Sequence, residues 1–271
     1  MPELPEVETT GRGLRPVLAG RTITAVRIRE RRLRWPLPQD FARRLTGRHI
    51  KSVDRRAKYL LISTDAGTLI AHLGMSGSLT VTARGSRARR HDHVDIELDS
   101  GRCVRFNDPR RFGSLTFTRG DPAAHPLLAR LGPEPLGAAF DANSLHARTR
   151  RRRVTIKQLL MNQAIVVGVG NIYASEALFR AGIDPRRAAG RLTRAEAARL
   201  VAAVKRVLQA AIRAGGTTLR DYVAADGAPG YFRQKLYVYE RHGRPCRRCR
   251  TPIRQRVLGQ RSTYWCPKCQ H

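Results

Sequence analysis

Cys246-Arg247-Arg248-Cys249 and Cys266-Pro267-Lys268-Cys269 bracket a stretch of 16 residues near the end of a 271-residue chain. Tetrahedral zinc takes four thiolates, and each C-x2-C turn delivers two of them. Between the turns, Ile253 to Leu258 and Ser262 to Trp265 read as short strands joined at Gly259-Gln260. The stretch is therefore expected to be a β-hairpin stapled by one structural Zn2+ on Cys246, Cys249, Cys266 and Cys269, with Arg261 near its tip. Two disulfides are the other use of four thiols, but an intracellular chain disfavours them. The fifth cysteine, Cys103 in Cys103-Val104-Arg105-Phe106, reads as a small core residue.

Upstream of the hairpin the pattern is helical, and further upstream it is extended. Thr193-Arg194-Ala195-Glu196 is a capping box that opens an amphipathic helix from Arg194 to Ala214, stopped by Gly215-Gly216. Gly168-Val169-Gly170-Asn171-Ile172-Tyr173-Ala174-Ser175-Glu176 places two glycines before a helical run, a pattern that exposes backbone N–H groups to an anion. Ala181-Gly182-Ile183-Asp184-Pro185 then breaks that helix from the next. Arg119 to Leu136, with Gly120, Pro122, Pro126, Gly132, Pro133 and Pro135, reads as a linker. From Arg21 to about Phe117 the runs are short and alternating, as in Thr22 to Ile28, Tyr59 to Ile62, Thr68 to Ala71 and Ser78 to Val81. They predict a β-sandwich with a helix from Pro5 to Leu18 packed against it.

Charge narrows the partner. The chain carries 52 Lys+Arg against 21 Asp+Glu, a formal net charge of +31. A polyanion is the expected ligand. Nucleic acid is favoured over a membrane because no apolar run is long enough to span a bilayer and no basic amphipathic helix stands out. Only six of the basic residues are lysine, so arginine, suited to bidentate phosphate contacts, dominates. An acidic N-terminus without an apolar core segment argues against a signal peptide.

The chain opens Met1-Pro2-Glu3-Leu4-Pro5-Glu6-Val7-Glu8. Proline after the initiator methionine favours its removal, which leaves Pro2 with a free secondary amine. An α-amino group titrates at about 7.7 to 8.0, against ~10.4 for lysine, so part of it is a neutral nucleophile at physiological pH. The positive end of a helix opened by Pro5 lowers that value further, and Glu3 stands beside the amine as a proton donor. The same residues are also ordinary helix-start residues, and composition leaves both readings open.

The opening heptapeptide Pro2 to Glu8, the helix start from Gly168 to Glu176, and Gln260-Arg261-Ser262-Thr263 through Cys269 together resemble the formamidopyrimidine-DNA glycosylase family of bacteria. The likeness runs in order over essentially the whole chain. It implies an α+β fold with an N-terminal β-sandwich domain over residues 1–118 and a hinge over 119–136. A helical DNA-binding domain over 137–232, carrying a helix-two-turn-helix, and a zinc finger over 233–271 would follow. The implied activity is excision of oxidised purines, 8-oxoguanine opposite cytosine and formamidopyrimidines, followed by β- and δ-elimination at the abasic site. Residues Pro2, Glu3, Lys58 and Arg261 would be catalytic, with no redox or nucleotide cofactor.

The resemblance also assigns residues to DNA. It places His72, His91, Arg110, Arg111, Arg153 and Asn171 among the DNA contacts, and Glu6, Lys157 and Glu176 in support. Met75, Arg110 and Phe112 match a wedge that fills the gap left by a flipped nucleotide. Taken singly, Met75 and Phe112 would be core residues, but each lies beside glycine in a turn-like segment. A loop over 216–232 would close on the flipped base, and its length together with Pro-Glu-Leu-Pro-Glu at the start separates the purine branch from the endonuclease VIII branch. The partner would be double-stranded DNA with oxidised bases or abasic sites, met by a monomer in the bacterial cytoplasm at the nucleoid.

Overall fold

The computed structural model describes residues 2–217 and 236–271. The loop expected at 216–232 lies outside the described residues except for Gly216 and Thr217, and Met1 lies outside them as well. Two compact units form: residues 2–129 with 214–217, and residues 130–213 with 236–271. The stretch expected as a hinge at 119–136 is thus divided between them.

In the first unit, helix α1 (Leu4–Leu18) has Glu3 as its N-cap and Pro5 in the first turn, where a missing N–H costs nothing. It buries Leu4, Val7, Leu14 and Leu18. Gly11 allows close approach, since a Cβ there would lie 2.9 Å from Leu60 Cδ2. The strands are β1 (Ile23–Ile28), β2 (Ile50–Arg56), β3 (Tyr59–Thr64), β4 (Gly67–His72), β5 (Ser78–Ala83), β6 (Asp92–Leu98), β7 (Arg102–Asn107) and β8 (Ser114–Thr118), with the short helix α2 (Phe41–Leu45) after β1. They form two four-stranded antiparallel sheets, ordered β1-β6-β7-β5 and β2-β3-β4-β8. Leu60, Ile62 and Leu69 from one sheet meet Leu79, Val94 and Phe106 from the other in a single core.

Alternation along β6 predicts one buried and one solvated face, yet all seven of its residues are buried. The core takes Val94, Ile96 and Leu98. The opposite face carries Asp95 and Glu97 under a cover of arginines. Arg105 Nε and Nη2 donate to Asp95 Oδ1 and Oδ2 at 2.8 and 2.9 Å, and Arg29 Nη2 donates to Oδ2 at 2.6 Å. Burial opposes ionisation of Asp95, but the hydrogen bonds from Arg105 and Arg29 prevail and hold its carboxyl below the usual range.

The second unit holds helices α3 (Ala142–Thr149), α4 (Ile156–Met161), α5 (Asn171–Ala181) and α6 (Arg194–Arg213), then the hairpin β9 (Arg254–Leu258) and β10 (Arg261–Trp265). Asp141 and Thr155 cap α3 and α4 through their side chains, accepting from Ser144 N and Gln158 N. Left-handed Gly182 (φ 73°) ends α5. The hairpin turns on Gly259 and Gln260, at φ 52° and 61°, the positive pair that matches the twist of its strands. Phe179 of α5 packs with Ile253 and Tyr264 around the cysteines. Gln270 Nε2 donates to Ile183 O at 2.9 Å, docking the end of the finger on the turn after α5.

Asp95→Ala removes the acceptor of Arg105 Nε and Nη2 but leaves Asp92 3.4 Å from the guanidinium. Equilibrium urea denaturation is expected to show a loss of about 2–3 kcal/mol, the worth of charge-assisted hydrogen bonds lost from a buried arginine.

Candidate active site and nucleic-acid interface

The start of the chain is held inside the first unit. Pro2 is buried and Glu3 is 2% exposed. Glu3 N donates to Glu6 Oε2 at 2.9 Å, and Thr217 N donates to Glu6 Oε1 at 2.8 Å. The Glu6 carboxylate, fully buried, therefore ties the first turn of α1 to the segment that follows α6. Gly216, at φ 84°, suits the approach, since a Cβ there would sit 3.2 Å from Glu6 Oε1.

Lys58 stands in the two-residue turn between β2 and β3. Its neighbour Ala57 has φ 55°, a strained value for a residue with a Cβ, and is 1% exposed. Arg55 holds that turn, its Nη1 donating to Ala57 O at 3.0 Å and its Nε to Glu8 Oε2 of α1 at 2.9 Å. A chain of contacts thus runs from the helix that begins at Glu3 to the backbone beside Lys58. Tyr59 is cross-strand to His72, with ring centroids 4.8 Å apart. Gly74 N donates to His72 Nδ1 at 3.1 Å, which places the ring proton of neutral His72 on Nε2. Burial, then the cations of Lys58 and Arg34, lower the His72 pKa to about 4.

Two loops meet through Asp108, which is fully buried. Ser76 Oγ donates to Asp108 Oδ1 at 2.9 Å, Gly113 N donates to Oδ2 at 2.7 Å, and Asp108 O contacts His93 Nε2 at 2.8 Å. Asp108 N in turn donates to His91 O at 3.1 Å. The turn bearing Met75 is thereby fixed to the loop bearing Arg110, Arg111 and Phe112, with His91 alongside. The contact is close: a Cβ on Gly74, at φ 62°, would clash with Gly113 N. Phe112 is 44% exposed, with the Arg110 guanidinium 4.8 Å from its ring centre, so it is no core residue. Met75 is half-buried. Arg111, at φ 55°, pairs with Glu30 at 3.3 Å.

In the second unit the helices converge on β10. Asn171 opens α5 and donates through Nδ2 to Ser262 O at 3.1 Å. Lys157 of α4, 1% exposed, donates to the same carbonyl at 2.9 Å and to Thr263 Oγ1 at 2.8 Å. Ser262 follows Arg261, which stays exposed. Lys157 and Asn171 thus hold the strand that carries Arg261. Arg153 is exposed between α3 and α4. Glu176, 1% exposed, accepts from the N–H groups of Tyr237, Val238 and Tyr239 at 2.9 to 3.0 Å, an anchor for the start of the finger. Burial raises its pKa against the pull of those donors.

The four cysteine sulfurs of the finger lie within 4.8 Å of one another, with Cys246–Cys269 and Cys249–Cys266 separations of 4.0 and 3.4 Å. Thiolates about 2.3 Å from a central ion span such distances, so the set fits tetrahedral zinc. The site is a structural zinc centre built from four cysteines.

Sequence reasoning missed Asp108, Glu8 and Arg55. Asp before proline at Asp108-Pro109 is a turn signal, but the donors to its carboxylate, Ser76 and Gly113, belong to separate loops. The Glu8–Arg55 pair joins residues too distant in sequence for any local pattern.

Three family descriptions match the chain in order. The formamidopyrimidine-DNA glycosylase N-terminal domain matches residues 1–115, the H2TH domain of the same enzymes matches 131–223, and a zinc finger found in FPG and IleRS matches 243–271. A formamidopyrimidine-DNA glycosylase of Thioalkalivibrio sulfidiphilus is 62% identical over 270 residues, with both chains covered in full. A complex between a Lactococcus lactis FPG mutant and DNA containing Fapy-dG superposes with a TM-score of 0.93 at 32% identity, covering 100% of each chain. A MutM complex with DNA containing carbocyclic 8-oxo-G gives a TM-score of 0.91 at 31% identity, again covering 100% of each. The chain belongs to the formamidopyrimidine-DNA glycosylase family.

Asp108→Ala removes the acceptor of two buried donors. Thermal unfolding is expected to show about 3 kcal/mol of lost stability, and Asp108→Asn less, because an amide oxygen still accepts from Gly113. For His72, an NMR titration is expected to find a midpoint near 4, moving toward the ordinary histidine value in Lys58→Met as the lysine's repulsion is removed. The unfolded chain protonates this ring first, so the stability it contributes is present above about 6.5 and is lost as pH falls toward about 4.

Proposed function

We propose that the Pro2 amine, freed by removal of Met1, is the nucleophile of a bifunctional DNA glycosylase and abasic-site lyase of base excision repair. The activity is that of the family: excision of oxidised purines through a Schiff base. What supports Pro2 as the nucleophile is the burial of Pro2 and Glu3 at the positive end of α1, with the Glu3 N–H held by Glu6. A chain end is ordinarily frayed; this one is fixed.

The chemistry follows from the groups present. The Pro2 nitrogen bonds to C1′ as the glycosidic bond breaks and the base leaves. Glu3 gives its proton to the ring oxygen as the C1′–O4′ bond opens, which produces an iminium. The iminium acidifies the C2′ hydrogen, whose loss expels the 3′ phosphate, and a second elimination expels the 5′ phosphate. Lys58 assists the first elimination and Arg261 the second, each on a braced turn. Neutral His72, Asn171, Arg153 and His91 contact the DNA backbone. Zinc, held by Cys246, Cys249, Cys266 and Cys269, keeps the finger folded and stands outside the reaction.

A flipped nucleotide leaves a gap in the stack that costs a few kcal/mol. Met75 and Phe112, tied together through Asp108, are the wedge for that gap, and Arg110 reads the orphaned cytosine. The enzyme acts as a monomer on the bacterial nucleoid. No helix among the described residues is long and apolar enough to cross a membrane.

Borohydride is expected to trap the processed enzyme covalently on an 8-oxoguanine:cytosine duplex. Pro2→Gly and Glu3→Gln should each slow base release by at least ~100-fold. Wild-type enzyme of verified N-terminus that releases base without trapping would refute the amine mechanism. Equal reaction on duplexes carrying an oxidised pyrimidine would refute the purine assignment.

A further inference from the structure

The loop after β1 thrusts three residues outward between two that it buries. Leu33 and Leu37 enter the core, 6% and 4% exposed, while Arg34, Trp35 and Pro36 between them are exposed. The loop closes on itself, Leu37 N donating to Arg31 O at 2.9 Å and Arg31 Nη1 to Pro38 O at 2.7 Å. It is also tied to the wedge loop at two points. Arg34 N donates to Gly113 O at 3.1 Å, and Glu30 pairs with Arg111 at 3.3 Å. The outward tip therefore has a fixed footing one residue from Phe112.

The charge at that tip has no partner within the fold. Arg29 is committed to Asp95, Arg32 and Arg111 to Glu30, and Arg31 to backbone carbonyls. Among the described residues, the Arg34 guanidinium meets neither a carboxylate nor a hydrogen-bond acceptor; it lies 5.6 Å from the centre of the Trp35 ring. Trp35 is 48% exposed, a large apolar surface left in water, with a ring face that attracts the cation. A guanidinium held against a ring keeps its N–H edges free for an anion. The proposed DNA contacts are close by. After burial and Lys58, the Arg34 cation is the next cause of the lowered His72 pKa, and it opposes the burial that raises the Tyr59 phenol.

We infer that Arg34 binds a backbone phosphate of the DNA, next to the phosphate that His72 contacts, with Trp35 as the platform that orients its guanidinium. The planar fork matches a phosphate bidentately. Such a contact positions the duplex without reading its sequence. Because the same loop is tied to Gly113 and Arg111, the phosphate held by Arg34 sets where Phe112 meets the base stack. This contact rests on the glycosylase reading, since the ligand is the same duplex.

The test uses the full zinc-loaded enzyme and a duplex bearing a reduced abasic site opposite cytosine. That site gives no iminium, so its binding is measured apart from the amine chemistry. Arg34→Met should weaken binding about tenfold, the worth of a hydrogen-bonded charge. It should also lower the slope of log K against log salt by about 0.9, the value of one neutralised phosphate on duplex DNA. Arg34→Lys, which keeps the charge but not the fork, should keep the slope and lose part of the affinity. In single-turnover excision of 8-oxoguanine, Arg34→Met should raise the half-saturating enzyme concentration about tenfold while the maximal rate falls less than about threefold. Acrylamide quenching of wild-type emission reads Trp35, because the other tryptophan, Trp265, is 3% exposed, and saturating duplex should reduce it. The assignment to Arg34 fails if Arg34→Met leaves the salt slope as it is, if its loss falls on the maximal rate alone, or if duplex leaves Trp35 equally open to acrylamide. A wild-type enzyme that shows the slope change but releases no base would count against the glycosylase reading and not against Arg34.

Discussion

Residues near the start of a polypeptide have few neighbours and fray unless something ties them down. Here the Glu6 carboxylate meets that constraint. One oxygen accepts the N–H of Glu3, three residues earlier, and the other accepts the N–H of Thr217. Pro2 and Glu3 are thereby set at the start of a helix whose buried side chains seat it on the sandwich. The Glu8–Arg55 pair extends the same helix to the turn of Lys58. Pro2, Glu3 and Lys58, the residues proposed for catalysis, thus take their positions from one helix.

The use of acidic residues follows the same logic. Among the described residues eight acids are buried, Glu3, Glu6, Asp92, Asp95, Glu97, Asp108, Glu176 and Asp184, against three lysines and arginines, Lys58, Arg105 and Lys157. Buried carboxylates are costly unless hydrogen-bonded, and these accept from backbone or arginine donors. They hold a chain end, a pair of loops and the start of a finger. The basic residues remain outside, where they give a polyanion its attraction. A charge of +31 on a folded chain is tolerable because many of its few acids act as internal fasteners.

Much of the architecture was legible in the sequence because its signals are local. The helix expected from Pro5 to Leu18 spans Leu4–Leu18, and the one expected from Arg194 to Ala214 spans Arg194–Arg213. The finger follows its cysteine spacing, and its turn falls on Gly259-Gln260 as read. Where alternation failed, at β6, the cause is tertiary: arginines just after β1 and within β7 cover a face that period-two reasoning leaves to water. Resemblance to a family, more than periodicity, placed Lys58, His72 and Asn171 among the candidates.

By itself the sequence determined the two-sheet and helical halves, the zinc ligands, the sign of the partner's charge and the residues available for chemistry. These rest on spacing within a turn, a strand or a helix, and on composition. Only the tertiary structure decided which carboxylates are fasteners, and that Phe112 is exposed while Lys157 is buried. Each of these depends on residues far apart in the chain meeting in space, and burial and hydrogen-bond direction are set by that meeting.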